Sequence, residues 1–211
     1  MMGNVLVVAV AGLQEAERVN SPALAVLFML GLQATVVVLT AVAARIEAGD
    51  WRTRLVLTRP PKEPAVYIEA IIGAAGLMGL YTVVVYTTGL SDIVTDLKPF
   101  IELIRSPAWL MAILVVAVGA PLSEELLFRG FLLPALANSR LRFRGAAVLT
   151  TLAWTALHAG YSAAGMIEVM LVGFYLSWLM WRKGSLWVPL VCHAVVNTVL
   201  ILGLLVLPIR I

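Results

Sequence analysis

The feature that most limits what this chain can become is a series of apolar runs near the length that crosses a bilayer. Residues 22–44, 65–88, 106–137 and 187–207 each approach or exceed the roughly 20 residues an α-helix needs to span a hydrocarbon core. Two shorter runs, 145–158 and 163–181, complete the pattern. All are continuous rather than alternating, which argues against a β-barrel. The expected fold class is therefore all-α, a polytopic transmembrane helical bundle of six to eight membrane helices. Composition agrees. Of 211 residues, 62% are hydrophobic and 13% charged, against about 45–50% and 25% in an average soluble domain. With no internal repeat or low-complexity segment, residues 1–211 read as a single integral membrane domain.

The net charge of +3 does not indicate nucleic acid, because the basic residues sit in short connections between apolar runs, as cytoplasmic loops of membrane proteins do. The connection "RIEAGDWRTRLVLTRPPKEP" carries Arg45, Arg52, Arg54, Arg59 and Lys62. If residues 106–137 cross once, connections 45–63, 138–144 and 182–184 share one face and gather ten of the fifteen Lys and Arg. A full turn at Pro121 would instead reverse the later loops. Pro121 disfavours helical geometry in Ala120, and Ser123 before two acids resembles a helix start. The N-terminal "NVLVVAVAGL" is too short to span and lacks the basic flank of a signal peptide, so an interfacial or partly inserted segment is expected. Short loops and a compact chain point to a multi-pass protein of a prokaryotic cell membrane.

Charges inside such runs cost about 2.5–3.5 kcal/mol each at a helix centre, so they call for a functional explanation. "PLSEELLFRG" holds three. Glu125 and Arg129 are four apart with the acid first, the favourable order for a same-face ion pair. Glu124 is rotated roughly 100° from Glu125 and is left to another surface, where a carboxylate suits a general base; the plainer reading is a capping acid beside Ser123. His158 ends "WTALH" and shares a face with Trp154. A short "NSRLRFR" turn joins the helices carrying Glu124 and His158, so the two residues should lie at similar depth. "HAVVN" puts His193 and Asn197 on one face, about 13–20 Å beyond Gly184 along a helix. They can donate to an oxyanion or simply tie helices together.

Together these residues suggest water-mediated attack on a carbonyl. Ser123 and Cys192 lack a histidine at a helical spacing that would activate them, and Cys192 reads as a small buried hydrophobe. A zinc ion held by Glu124, His158 and His193 is the alternative; no HExxH motif supports it, and acids to orient the histidines are not obvious. No cofactor is otherwise expected. Glu69 and Glu168 sit near helix ends and receive no chemistry.

Three segments in order carry a family resemblance. "EELLFR" resembles an EExxxR motif, "WTALH" an FxxxH motif and "HAVVN" an HxxxN motif. Over roughly residues 106–200 the chain resembles the intramembrane CAAX-protease and bacteriocin-processing (CPBP, or Abi) family, which includes type II CAAX prenyl endopeptidases. Trp154 stands where the family usually has phenylalanine. The resemblance implies that Glu124 activates water, His158 assists, His193 and Asn197 form an oxyanion hole, and Glu125 and Arg129, with Trp154 as an aromatic wall, support the site. It implies a glutamate-dependent intramembrane peptidase without covalent intermediate or obligatory metal. Its partners would be the lipid bilayer and a membrane-embedded or lipidated peptide substrate. A non-catalytic bacteriocin-immunity or membrane binding protein on the same scaffold, or a proton pathway through buried Glu and His, are the other classes.

Overall fold

Prolines and small polar residues set where the helices begin, and left-handed glycines set where several end. A computed structural model describes residues 21–57, 61–89 and 93–206; "NVLVVAVAGL", Arg59 and Leu207 lie outside the described residues. Helix α1, Pro22–Ala48, opens on Ser21, whose side chain accepts from the Leu24 amide, and stops at Gly49 with φ 73°. After the short α2, Trp51–Arg54, helix α3, Pro64–Thr88, again starts on proline and ends at a left-handed glycine, Gly89. An amphipathic α4, Ile93–Ile104, follows. Then come α5, Trp109–Ala137, α6, Arg142–Ala156, α7, Ala163–Lys183, and α8, Trp187–Val206. Among the described residues there is no strand.

Five helices, α1, α3, α5, α7 and α8, are long and apolar enough to cross a membrane. Leu27, Val38, Ile72 and Leu80 stay exposed on them, which suits lipid as the solvent. Helix α5 is the central strut: 44% of its apolar window is buried inside the protein, against 11% for α1. Helix α6 has only 15 residues. At ~1.5 Å per residue it covers about 22 Å, short of a ~30 Å core, so the loop that follows it starts below the far surface.

Helix α5 corrects the reading of Pro121 as a break. The helix runs on through it, and Ala120 is helical with φ −62° and ψ −55°. Two π-helical segments, Val115–Gly119 and Glu125–Leu132, flank the proline. Proline offers no N–H and crowds the preceding turn, and a wider π turn relieves both. Side chains from neighbouring helices use the carbonyls there: Gln33 donates to Val115 at 3.2 Å and Asn197 to Val116 at 3.0 Å. Ser123 is likewise no helix start, since its hydroxyl donates back to the Ala120 carbonyl at 3.0 Å.

Helix α5 is continuous from Trp109 to Ala137, as the single-crossing topology requires. At the basic end, Trp187 Nε1 donates to the Leu57 carbonyl at 2.8 Å and Lys183 pairs with Glu69 at 3.1 Å. At the opposite end, the Tyr81 hydroxyl donates to the Ala164 carbonyl at 2.7 Å, and Asp96 of α4 accepts from both the amide and the hydroxyl of Ser162. Apolar clusters follow the same order. One around Leu55, Leu133 and Leu186 lies at the basic end, one around Phe128, Trp154 and Leu176 at mid-depth, and one around Ile101, Val115 and Ile201 toward the other end.

Candidate active site

The two adjacent glutamates of α5 have separate surroundings. Glu125 is fully buried, and its Oε1 accepts from Arg129 Nη1 at 3.0 Å. The sequence spacing anticipated this pair. The π turn holding both residues brings positions four apart nearly into line. The same Oε1 also meets His193 Nδ1 at 3.0 Å, a third member that helical spacing within one segment could not disclose. Arg129, also 0% exposed, donates from Nη2 to the Gly173 carbonyl at 3.1 Å and lies 4.4 Å over the Trp154 ring. Glu125 Oε2 and Arg129 Nε have no partner among the described residues. A buried ion pair with unsatisfied atoms is a weak source of stability, which favours a purpose other than holding the fold.

Glu124 is only half-buried and does not share Arg129. Its Oε2 accepts from Trp154 Nε1 at 2.7 Å. His158 stands in the turn just after α6, and its Nδ1 contacts the Trp154 carbonyl at 3.0 Å. A carbonyl oxygen only accepts, so Nδ1 carries the hydrogen and the neutral ring presents Nε2 as an acceptor. The indole also meets the imidazoles edge to face, with centroids 5.2 Å from His158 and 5.7 Å from His193. Thus Glu124, His158 and His193 all converge on one tryptophan. Asn197 sits one turn beyond His193; one of its amide hydrogens is used on the Val116 carbonyl, leaving the other available.

Three parts of this arrangement were missed from sequence. Gly173 is one: a Cβ there would lie 2.8 Å from both Thr151 Cγ2 and Trp154 Cε3, so only glycine lets α7 approach the indole. Tyr161 is another, stacked edge-on to His158 at 5.4 Å and to Phe100 at 6.4 Å. The third is the Asp96–Ser162 contact, which ties α4 to the His158 loop. Mid-helix glycines and loop aromatics carry no spacing signal, which is why they passed unnoticed.

The remaining polar residues behave as read. Cys192 is buried, with its thiol on the Ala70 carbonyl at 3.3 Å. Glu69 is exposed and paired with Lys183, while Glu168 is half-buried near the start of α7. For zinc, the histidines do have orienting partners, Glu125 and the Trp154 carbonyl, which the sequence did not reveal. Yet among the described residues no three His, Cys, Asp or Glu side chains converge as a metal ion requires. Glu124, His158 and His193 as placed do not form that site.

The family model described as type II CAAX prenyl endopeptidase Rce1-like matches residues 106–199, the segment that carries every residue of this site from Glu124 to Asn197. No curated protein and no solved structure matches the chain.

Proposed function

We propose, from the similarity of residues 106–199 to the type II CAAX prenyl endopeptidase Rce1-like family, that the chain is an intramembrane endopeptidase. Its substrate is a membrane-associated or prenylated protein or peptide, cut near the C-terminus by water activated at Glu124. The observation that carries this reading is the division of the two carboxylates. Glu125 is committed to Arg129 and His193, whereas Glu124 has one oxygen on Trp154 and the other in no hydrogen bond among the described residues.

The chemistry follows from those positions. A water held between Glu124 and Nε2 of His158 gives one hydrogen bond to each and turns a lone pair toward the scissile carbonyl. Glu124 takes the water's proton as the C–O bond forms. Charge on the tetrahedral oxygen is met by Nε2–H of His193 and the free amide hydrogen of Asn197. Donation from His193 requires a doubly protonated ring, since Nδ1–H already faces Glu125. Glu124 then passes its proton to the leaving nitrogen as the C–N bond breaks. No covalent intermediate is needed. Ser123 and Cys192 support this, because each is buried and turned onto a backbone carbonyl.

The test is cleavage in liposomes of an internally quenched prenylated peptide and its unlipidated soluble counterpart. The prenylated peptide should be cut faster. Equal rates would contradict substrate entry from the bilayer, and no cleavage of any peptide by the unaltered protein would contradict the peptidase reading.

A further inference from the structure

Trp154 meets Glu124, Arg129, His158 and His193. Its indole N–H reaches Glu124 Oε2 at 2.7 Å, its carbonyl takes His158 Nδ1 at 3.0 Å, and its ring covers the Arg129 guanidinium at 4.4 Å. The side chain is 3% exposed and wedged against Gly173, where even a methyl group would collide with it. An aromatic wall would explain the burial. It does not explain why the indole nitrogen is spent on a carboxylate.

We infer that Trp154 is a positioning residue that holds one oxygen of Glu124 through its indole N–H and so directs the other at the attacking water. This rests on Glu124 being the general base. A glutamate side chain has three rotatable bonds, and in a half-open site its carboxylate would turn freely. A single N–H···O contact at 2.7 Å, in the short range typical of bonds to an ionised acceptor, removes that freedom. Indole is a donor only, so it fixes the base without competing for the water's proton. The other charged or titratable groups nearby are engaged elsewhere. Arg129 lies behind the ring and is bound to Glu125 and Gly173, His193 is bound through Nδ1 to Glu125, His158 is bound through Nδ1 to the Trp154 backbone, and Tyr161 packs on the His158 ring. Phenylalanine would keep the wall and lose the hold.

The test replaces Trp154 site-specifically with 3-benzothienylalanine, which keeps the indole shape but has sulfur in place of N–H. Trp154→Phe serves as a second variant. In the liposome assay with a quenched prenylated peptide, the benzothienyl protein should still unfold cooperatively well above the assay temperature and should retain its KM. Its kcat should fall roughly tenfold to hundredfold, the factor carried by a hydrogen bond to a charged group. An unchanged kcat overturns the inference. A second readout does not need activity: the 15N–1H indole resonance absent from the benzothienyl protein is that of Trp154, and it should move upfield in Glu124→Ala. A resonance that ignores that substitution also overturns the inference. If it responds while the unaltered protein cleaves no peptide, the hold on Glu124 stands and the peptidase reading fails.

Discussion

Glu124 and Glu125 are neighbours in sequence, yet substituting them should have opposite consequences. Glu125→Gln leaves the Arg129 guanidinium buried with its charge uncompensated, and His193 keeps only a neutral amide oxygen as its anchor. Removing one partner of a buried pair costs about 3–5 kcal/mol, so the thermal midpoint of the detergent-solubilised protein should drop sharply. Glu124→Gln keeps an acceptor for Trp154 in a half-buried position, so its midpoint should stay close to that of the unaltered chain. Equal midpoints for the two variants would show that the carboxylates are not divided as described. Much of this was legible from spacing alone: a step of four from Glu125 to Arg129, and a little over a quarter-turn between Glu124 and Glu125. The contact of Glu125 with His193, 68 positions away, was not, because it depends on how α8 is rotated against α5.

Among the elements, α5 and α7 impose the tightest conditions. Helix α7 approaches the indole only because residue 173 is glycine, with its carbonyl bound to both Arg129 and the Ser177 hydroxyl. Gly173→Ala should cost roughly 1–3 kcal/mol, as overpacking does, and should weaken the near-UV circular dichroism of the displaced tryptophan. An unchanged midpoint and spectrum would mean the helices can separate freely. Helix α4 acts on the site differently, through Asp96 and Ser162. Asp96→Ala should raise amide hydrogen exchange across residues 157–162, which carry His158; unaltered exchange there would rule out α4 as the loop's support. Six helices, α1, α3, α5, α6, α7 and α8, were readable as apolar runs to within a few residues; the amphipathic α4 and the short α2 were not, because neither forms a continuous apolar run. The continuity of α5 was not, because a proline before polar residues looks the same whether a chain breaks or widens into a π turn.

For the whole molecule, the single crossing by α5 makes a topological claim. Ser139 and Glu102 are both exposed, one in the basic connection after α5 and one on α4. Cysteines placed there singly, in a Cys192→Ala background, should react with an impermeant maleimide from opposite sides of the membrane. Ser139 should face the cytoplasm, as the clustering of Lys and Arg requires. Labelling of both from one side would contradict the arrangement. The bundle brings α5, α7 and α8 onto Trp154 of α6, and the proposed chemistry rests on one residue. The decisive measurement is turnover of a quenched prenylated peptide by unaltered and Glu124→Gln protein in liposomes, with fold verified by thermal unfolding. Cleavage should disappear with Glu124→Gln while the protein remains folded; turnover that survives in the folded variant would contradict Glu124 as the residue that activates water.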